Sequence, residues 1–282
     1  MNGACTACQG NNDCGAGLLC IGGQCQSCRS DVDCPAGNGC FFGACKPLTS
    51  LHITPTSCIS FPDPAKRILP PYDHTLEMWV KFLPGPGDQQ FVWTKYLRSQ
   101  EDQAVRYQNG VKLHKYLWGD DYFPGDVSNY STPSTVTDGV WHHIAESFDG
   151  NNERIFVDGK KILDASPPYG CFDQSGNPCF GSSTGRLYFG WAAANYPDQT
   201  SLGADMMVNS IRVSHANRYT SNFTPQRYLG VEAHTLAYWR FDYATTSNFI
   251  YDWTGQNRNG IRGGLAADVC DIPQWVSDAP PM

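Results

Sequence analysis

Apolar and polar residues alternate with a period of two along much of this chain. Leu76, Met78, Val80 and Phe82 alternate with Thr75, Glu77, Trp79 and Lys81, the spacing of a strand with one buried face. Pro84-Gly85-Pro86-Gly87 stops it. Further strands are predicted at Gln90–Lys95, at Ala104–Gln108 and at Val111–Trp118, the last two joined by Asn109-Gly110, a strong two-residue hairpin signal. Trp141–Phe148 reads as another strand. It is followed by the turn Asp149-Gly150-Asn151-Asn152 and by a hairpin of Arg154–Val157 and Lys160–Leu163 around Asp158-Gly159. Arg186–Gly190, Met207–Ser214 and Thr235–Phe241 complete the series. No segment sustains a 3.6-residue pattern with caps, so helix content should be low. Many short strands over ~225 residues predict an all-β fold, a two-sheet jelly-roll sandwich.

The first 45 residues have a different texture. They hold nine of the thirteen cysteines, and Cys5, Cys8, Cys14 and Cys20 recur as Cys25, Cys28, Cys34 and Cys40, each offset by 20, before Cys45 closes the run. Asp13/Asp33, Ala16/Ala36, Gly17/Gly37 and Gly23/Gly43 repeat with them. A segment so poor in apolar residues holds one shape only through cross-linked sulfur or bound metal, which places the chain outside the reducing cytosol. Two self-contained sets of four follow: Cys8, Cys14, Cys20, Cys25, and then Cys28, Cys34, Cys40, Cys45. Four cysteines allow three pairings, and spacing leaves them open. Analogy with other small disulfide modules favours first to third and second to fourth. Cys5 is the positional equivalent of Cys25 and Cys45, the closing cysteine of a preceding unit, so the chain reads as part of a longer array; a free or intermolecular thiol is the alternative. Zinc on Cys5-x2-Cys8 and Cys25-x2-Cys28 is the rival, but it leaves five of these nine cysteines unexplained. The expected organisation is a disulfide-rich, loop-dominated module at 1–47, an exit at Lys46–Ser50, and the sandwich at 51–277.

The formal charge is −7 over 282 residues, with no Lys/Arg run, which argues against nucleic acid and anionic membranes as partners. No stretch approaches the ~18 apolar residues of a membrane span. Met1-Asn2-Gly3-Ala4-Cys5 does not resemble a secretion leader, so an extracellular chain would have had its leader removed.

Several stretches resemble the laminin-G-like jelly rolls of the concanavalin A-like lectin/glucanase superfamily. Thr75–Phe82 is similar to an early strand of that family. Trp141-His142-His143-Ile144-Ala145 through Phe148-Asp149-Gly150, with Ile155–Lys160, resembles its central hairpin. Ser210–Ser214 with Arg218–Pro225 resembles its late strand and exit, and Leu236–Asp242 with Asp252–Gly260 a recurring element. The resemblance covers most of 51–277 and implies a sandwich. For function it implies little, because lectins, adhesion modules, glycosidases and spacers share the fold. A sandwich that brings its first and last strands together lets Cys58 and Cys270 bond, closing ~200 residues for ~5 kcal/mol in the chain-entropy model. Cys171 and Cys179, which bracket Phe172–Pro178, are expected to pair.

Candidate chemistry is sparse. A glycosidase needs two carboxylates flanking one bond, whereas the strands offer isolated acids: Glu77, Glu146, Glu153 and Asp242. Glu77 reads better as a structural acid of the family. His142 and His143 are strand neighbours and point to opposite faces, so one is expected buried and hydrogen-bonded and the other on the outer face. Trp79 and Trp93 read as core or inner-sheet residues. Asp252-Trp253-Thr254-Gly255-Gln256-Asn257 offers hard oxygen ligands, with Asp252 and Asn257 as candidate calcium ligands; Asp120-Asp121 and Asp198 with Asp205 are weaker ones. The competing reading has Asp252 and Thr254 capping the turn. Two loops mix aromatic plates with acids and amides: Trp118, Asp120, Asp121 and Tyr122 in one, and Trp191, Asn195, Tyr196 and Asp198 in the other. Sugar rings want such a surface, although the aromatics could instead staple the loops to the sandwich. Asn129-Tyr130-Ser131 and Asn222-Phe223-Thr224 match the N-glycosylation pattern. The expectation is a secreted or surface-displayed, non-catalytic protein that binds carbohydrate or an extracellular protein; the alternatives are a self-associating structural subunit of an extracellular fibre or sheath and a polysaccharide-active glycosidase.

Overall fold

The computed structural model describes residues 14, 18–21, 23–28, 33–41, 43–62, 73–83, 89–97, 100–108, 112–117, 130–131, 136, 139–165, 186–190, 202–264 and 270–281. Two small hairpins come first. Strands β1 (Leu19–Ile21) and β2 (Gln24–Gln26) pair, as do β3 (Asn38–Phe41) and β4 (Ala44–Pro47). Disulfides join Cys14 to Cys25, Cys28 to Cys40 and Cys34 to Cys45, the pairing expected from analogy. Cys20 is also disulfide-bonded. Cys5, Cys8, Cys171 and Cys179 lie outside the described residues. The hairpins lock together at Ser27, whose amide and Oγ donate to the Gly43 carbonyl at 2.7 and 3.1 Å, while its Oγ accepts from Cys45 N. Gly43 has φ +77°, and a Cβ there would come within 2.5 Å of the Gln26 side chain.

The remaining strands build the sandwich. They are β5 (Ser50–Ile53), β6 (Cys58–Pro62), β7 (His74–Phe82), β8 (Gln89–Leu97), β9 (Gln100–Gln108), β10 (Lys112–Leu117), β11 (Tyr130–Ser131), β12 (Trp141–Phe148), β13 (Glu153–Val157), β14 (Lys160–Ala165), β15 (Arg186–Gly190), β16 (Leu202–Gly203), β17 (Met206–Ser214), β18 (Thr235–Arg240), β19 (Phe249–Ile250), β20 (Gly260–Arg262) and β21 (Gln274–Val276). One sheet runs β11-β10-β9-β8-β15-β6-β20-β19, with β16 beside β8; the other runs β14-β13-β12-β7-β17-β5-β21, with β18 beside β17. Among the described residues there is no α-helix. The order of strands shows why the chain's ends meet: β6 sits in the middle of the first sheet, while β5 and β21 share an edge of the second. The predicted hairpin at Asp158-Gly159 is present, with φ of 50° and 73°, the two positive angles that a tight hairpin turn requires.

The core is the space between the sheets. Leu76, Met78, Val80 and Phe82 face it, as the alternation predicts, with Ile144, Val208, Ile211 and Val213 of neighbouring strands. Trp239, wholly buried, stacks on Phe61 with ring centroids 3.8 Å apart, and Phe189 meets Phe61 edge-on. Gly260 is dictated by that ring, because a Cβ would lie 2.2 Å from it. The chain enters the sandwich through Leu48 and Thr49, both buried; Thr49 N donates to Asp242 O and its Oγ1 to Phe241 O.

Cys58 and Cys270 are bonded across 212 residues. Replacing both with Ala is expected to lower unfolding stability by about 2–5 kcal/mol, read by denaturant titration; a change below about 1 kcal/mol would mean the tail is held without the bridge.

Candidate functional site

The outward side of the second sheet is covered. Register places Thr75, Glu77, Trp79 and Lys81 of β7 beside Ser147, Ala145, His143 and Trp141 of β12, and beside Ser214, Arg212 and Ser210 of β17. These side chains point away from the core, yet Glu77, His143 and Arg212 are buried. The irregular segment 215–234 lies over them, tied at its ends by His215 N to His234 O.

Glu77 is the centre of this layer. Its Oε1 accepts from Arg212 Nε at 2.8 Å; its Oε2 lies 2.8 Å from the Tyr219 hydroxyl and 3.2 Å from His143 Nε2. Arg218 approaches Oε1 at 3.5 Å and also donates to Glu232, which Arg212 shares. Arg212 further donates to the Leu229 and Gly230 carbonyls. Burial pushes the Glu77 pKa up, but the His143 hydrogen bond and the Arg212 charge and hydrogen bond win, and it falls to about 2. Burial and then the Glu77 charge push Tyr219 up to about 12. Around the ions sits an aromatic layer: Tyr219 stacks on Phe223 at 3.7 Å, and His143 meets Trp79 and Phe223 edge-on. Phe223 N donates to Gly159 O, and Asn222 Oδ1 accepts from Lys161 N, so the segment also grips the β13–β14 hairpin. At the other end of the same face, Asp278 receives Lys81 Nζ and Trp141 Nε1, each at 2.8 Å.

This arrangement answers part of the histidine expectation. His143 is the buried, bonded one, but it reaches burial on the sheet's outward face, under Phe223. His142 lies on the inward register with Val80 and bonds Asp158 Oδ2 at 2.7 Å near the sheet's margin. Trp79 is on the outward face, half-buried, with Nε1 on the Gln226 carbonyl; its expected place in the core is corrected by the odd-numbered register of β7.

Asp252 shows turn chemistry. Its Oδ1 accepts from Tyr238 N, Thr254 N and Thr254 Oγ1, and its Oδ2 from Thr254 Oγ1 and Arg258 N. Every lobe of the carboxylate therefore meets an N–H or O–H, whereas calcium binds unoccupied lone pairs. Asn257 is exposed with φ 61°, a conformation asparagine tolerates at turns. As arranged, this donor set does not fit a calcium ion. Asp205, one of the weaker candidates, lies 2.7 Å from His52 Nε2. Trp118, Asp120, Asp121, Tyr122, Trp191, Asn195, Tyr196 and Asp198 lie outside the described residues.

Glu146 and Glu153 share a face across β12 and β13, since Ile155 opposes Glu146 and Phe148 opposes Glu153. Both are enclosed, at 3% and 0% exposure, with His74 Nε2 3.6 Å from Glu146. A polysaccharide has no access to them there. Sequence reasoning passed over Phe249 and Tyr251, which are exposed; the signal was the alternation Phe249-Ile250-Tyr251-Asp252-Trp253.

Glu77 makes stability acid-sensitive. Its folded pKa lies below the ordinary 4.5, so its contribution is complete above 4.5 and is lost as pH falls toward about 2. Glu77→Gln is expected to lower stability at neutral pH by about 3 kcal/mol and to flatten the acid limb of a stability profile between pH about 4.5 and about 2. An unchanged acid limb in the variant would show that other carboxylates govern it. Melting temperature is expected to be the same in excess EDTA and excess calcium; a rise of several degrees with calcium would contradict the closed turn at Asp252.

Residues 55–194 match the model of the concanavalin A-like lectin/glucanases superfamily, in its laminin-G form. No curated protein matches the sequence significantly. Among solved structures, a candidate carbohydrate-binding protein from Bacteroides ovatus is 18% identical over 82% of this chain and 63% of its own, with a TM-score of 0.55; this chain thus spans under two thirds of that protein. A heptameric pentraxin of Limulus polyphemus is 14% identical over 61% of this chain and 78% of its own, TM-score 0.43. Domains LG4-5 of the mouse laminin α1 chain are 15% identical over 67% and 46%, TM-score 0.41. Residues 55–194 thus match the laminin-G form of the concanavalin A-like superfamily, and the two-sheet jelly roll they help to build agrees with that match.

Proposed function

We propose that this protein is an extracellular, non-catalytic recognition module, with carbohydrate as its ligand. The observation that carries the reading is the state of its carboxylates. Glu77 is sealed beneath 215–234 and held ionised by two arginines, so it is neither a proton donor nor within reach of a glycosidic oxygen. Glu146 and Glu153 are enclosed between the sheets. The Bacteroides ovatus structure bears a carbohydrate-binding name, and this supports the same class of ligand here.

The recognition loops are 117–130 and 190–205. Trp118, Tyr122, Trp191 and Tyr196 supply aromatic plates for the C–H face of a sugar; Asp120, Asp121, Asn195 and Asp198 supply acceptors and donors for its hydroxyls. The disulfide-stapled hairpins act as a stiff spacer on the sandwich. Their bonded cysteines are the reason for placing the protein in an oxidising, extracellular compartment.

A glycan array probed with the full chain and with Trp118→Ala and Trp191→Ala tests this. The unaltered chain is expected to bind one class of glycan, and each variant to lose roughly ten-fold in affinity, about 1.4 kcal/mol. Equal binding by all three would reject the loops as the site. Hydrolysis of any array glycan, abolished by Glu146→Gln, would reject the non-catalytic reading.

A further inference from the structure

Among the described residues the exposed large apolar side chains are few, and two of them stand together: Phe249 and Tyr251 are 41% and 59% exposed, with ring centroids 4.8 Å apart. A second ring pair is closed off: Tyr243 meets Trp253 edge-on at 6.3 Å, with Lys46 Nζ over the Tyr243 ring and the Arg240 guanidinium over Trp253. The exposed pair lies along β19, the last strand of its sheet, and the turn after it. Both Tyr243 and Trp253 are half-buried.

The backbone beneath is fixed from the inside. Ile250 is 5% exposed and packs in the core; Asp252, 7% exposed, takes the turn donors described above. With positions 250 and 252 directed inward, Phe249 and Tyr251 point out. Asn248 O accepts from Arg262 N, Asp252 N donates to Asn259 Oδ1, and Trp253 N donates to Tyr238 O. The rings are therefore presented on a strand pinned on both sides, and little conformational freedom remains to be lost when a ligand settles on them.

From this we infer a carbohydrate-binding platform formed by Phe249 and Tyr251, separate from the 117–130 and 190–205 loops and resting on the carbohydrate-recognition reading above. The ligand class is a neutral polysaccharide of equatorially linked pyranoses. Its sugar units carry C–H bonds on flat faces that suit aromatic rings, and their rim hydroxyls suit the phenol of Tyr251, a donor and an acceptor. The nearby carboxylates do not set a charge preference: Asp242 is buried against Arg240, and Asp252 is spent in its turn.

Area argues against a protein occupant. At roughly 150–250 Å² per aromatic side chain, the exposed parts of Phe249 and Tyr251 amount to about 200 Å². A stable protein partner covers about 800 Å² on each side, whereas one or two sugar units cover an area of the size available. β19 is two residues long, too short an edge to template a strand from a second copy.

The test uses the full chain, affinity electrophoresis in soluble β-glucan, galactan and chito-oligosaccharide, and sedimentation. Tyr251→Ala and Phe249→Ala are each expected to weaken binding to one of these by roughly ten-fold. Tyr251→Phe should keep most of the binding, because it keeps the plate. Both positions are exposed, so far-UV circular dichroism and melting temperature should match the parent. Full retention in the Tyr251→Ala/Phe249→Ala double variant overturns the platform. If binding is then lost only in Trp118→Ala or Trp191→Ala, the recognition reading survives without it. Binding of no carbohydrate by the parent chain overturns both. A dimer that becomes monomer in Tyr251→Ala, with carbohydrate binding unchanged, assigns the rings to a self-contact and also overturns the platform.

Discussion

A carboxylate enclosed on the outward face of a sheet would be untenable alone, and much of this sandwich is arranged around making Glu77 tenable. Taking an ion out of water costs several kcal/mol unless partners and hydrogen bonds return it. Arg212 comes from the neighbouring strand, His143 from the other neighbour, and Tyr219 from the segment that closes over them. Arg218 and Glu232 extend the alternation of sign outward from the buried pair to the surface. The segment 215–234 has no regular structure, so its position depends on these side-chain bonds and on the Tyr219–Phe223 stack. The same bonds specify its register, because each arginine has one geometry that serves both its glutamates.

Closing that face has a consequence for the ends of the chain. The C-terminal residues use the remaining stretch, with Asp278 bound by Lys81 and Trp141, and with the Pro280 carbonyl taken by Arg227. Arg227 also donates to Asn209, whose amide holds Thr49 O where the hairpin module joins the sandwich. The entry and exit of the sandwich are thus linked through one asparagine and one arginine, on top of the Cys58–Cys270 bridge.

The inward faces were legible from alternation alone, since burial of one face is what produces a period of two. β7 and β12 fall where the pattern placed them, and the Asp158-Gly159 turn follows from its two residue types. Strands such as β5, β6 and β20 left weaker traces. β6 begins at a disulfide, β20 has three residues, and Gly260 within it answers to the Phe61 ring, a contact 199 residues away in sequence that no local pattern records. The layer on Glu77 was only half legible. Its acid was recognisable as structural, but the partners arrive from β12, β17 and an irregular segment, and the charge pairing is set by cross-strand register. Asp252 reads as a choice between ion ligand and turn cap; four donor groups on one carboxylate match the second chemistry.

The way the two sheets are finished separates stability from recognition. The second sheet spends its outward side chains on the cover, so that aromatic residues there, Trp79 and Phe223 among them, pack on protein. The first sheet ends at β19, where the inward positions Ile250 and Asp252 are fully committed and the outward rings are not covered. Burying Phe249 and Tyr251 would stabilise the fold by roughly 25 cal/mol per Å² of apolar surface removed from water, and a segment like 215–234 shows that this fold is able to supply such a cover. Among the described residues it leaves Phe249 and Tyr251 exposed. Two rings held rigid from beneath and open above are a costly surface to maintain without a ligand, and aromatic faces beside a phenol match the chemistry of a sugar ring and its hydroxyls.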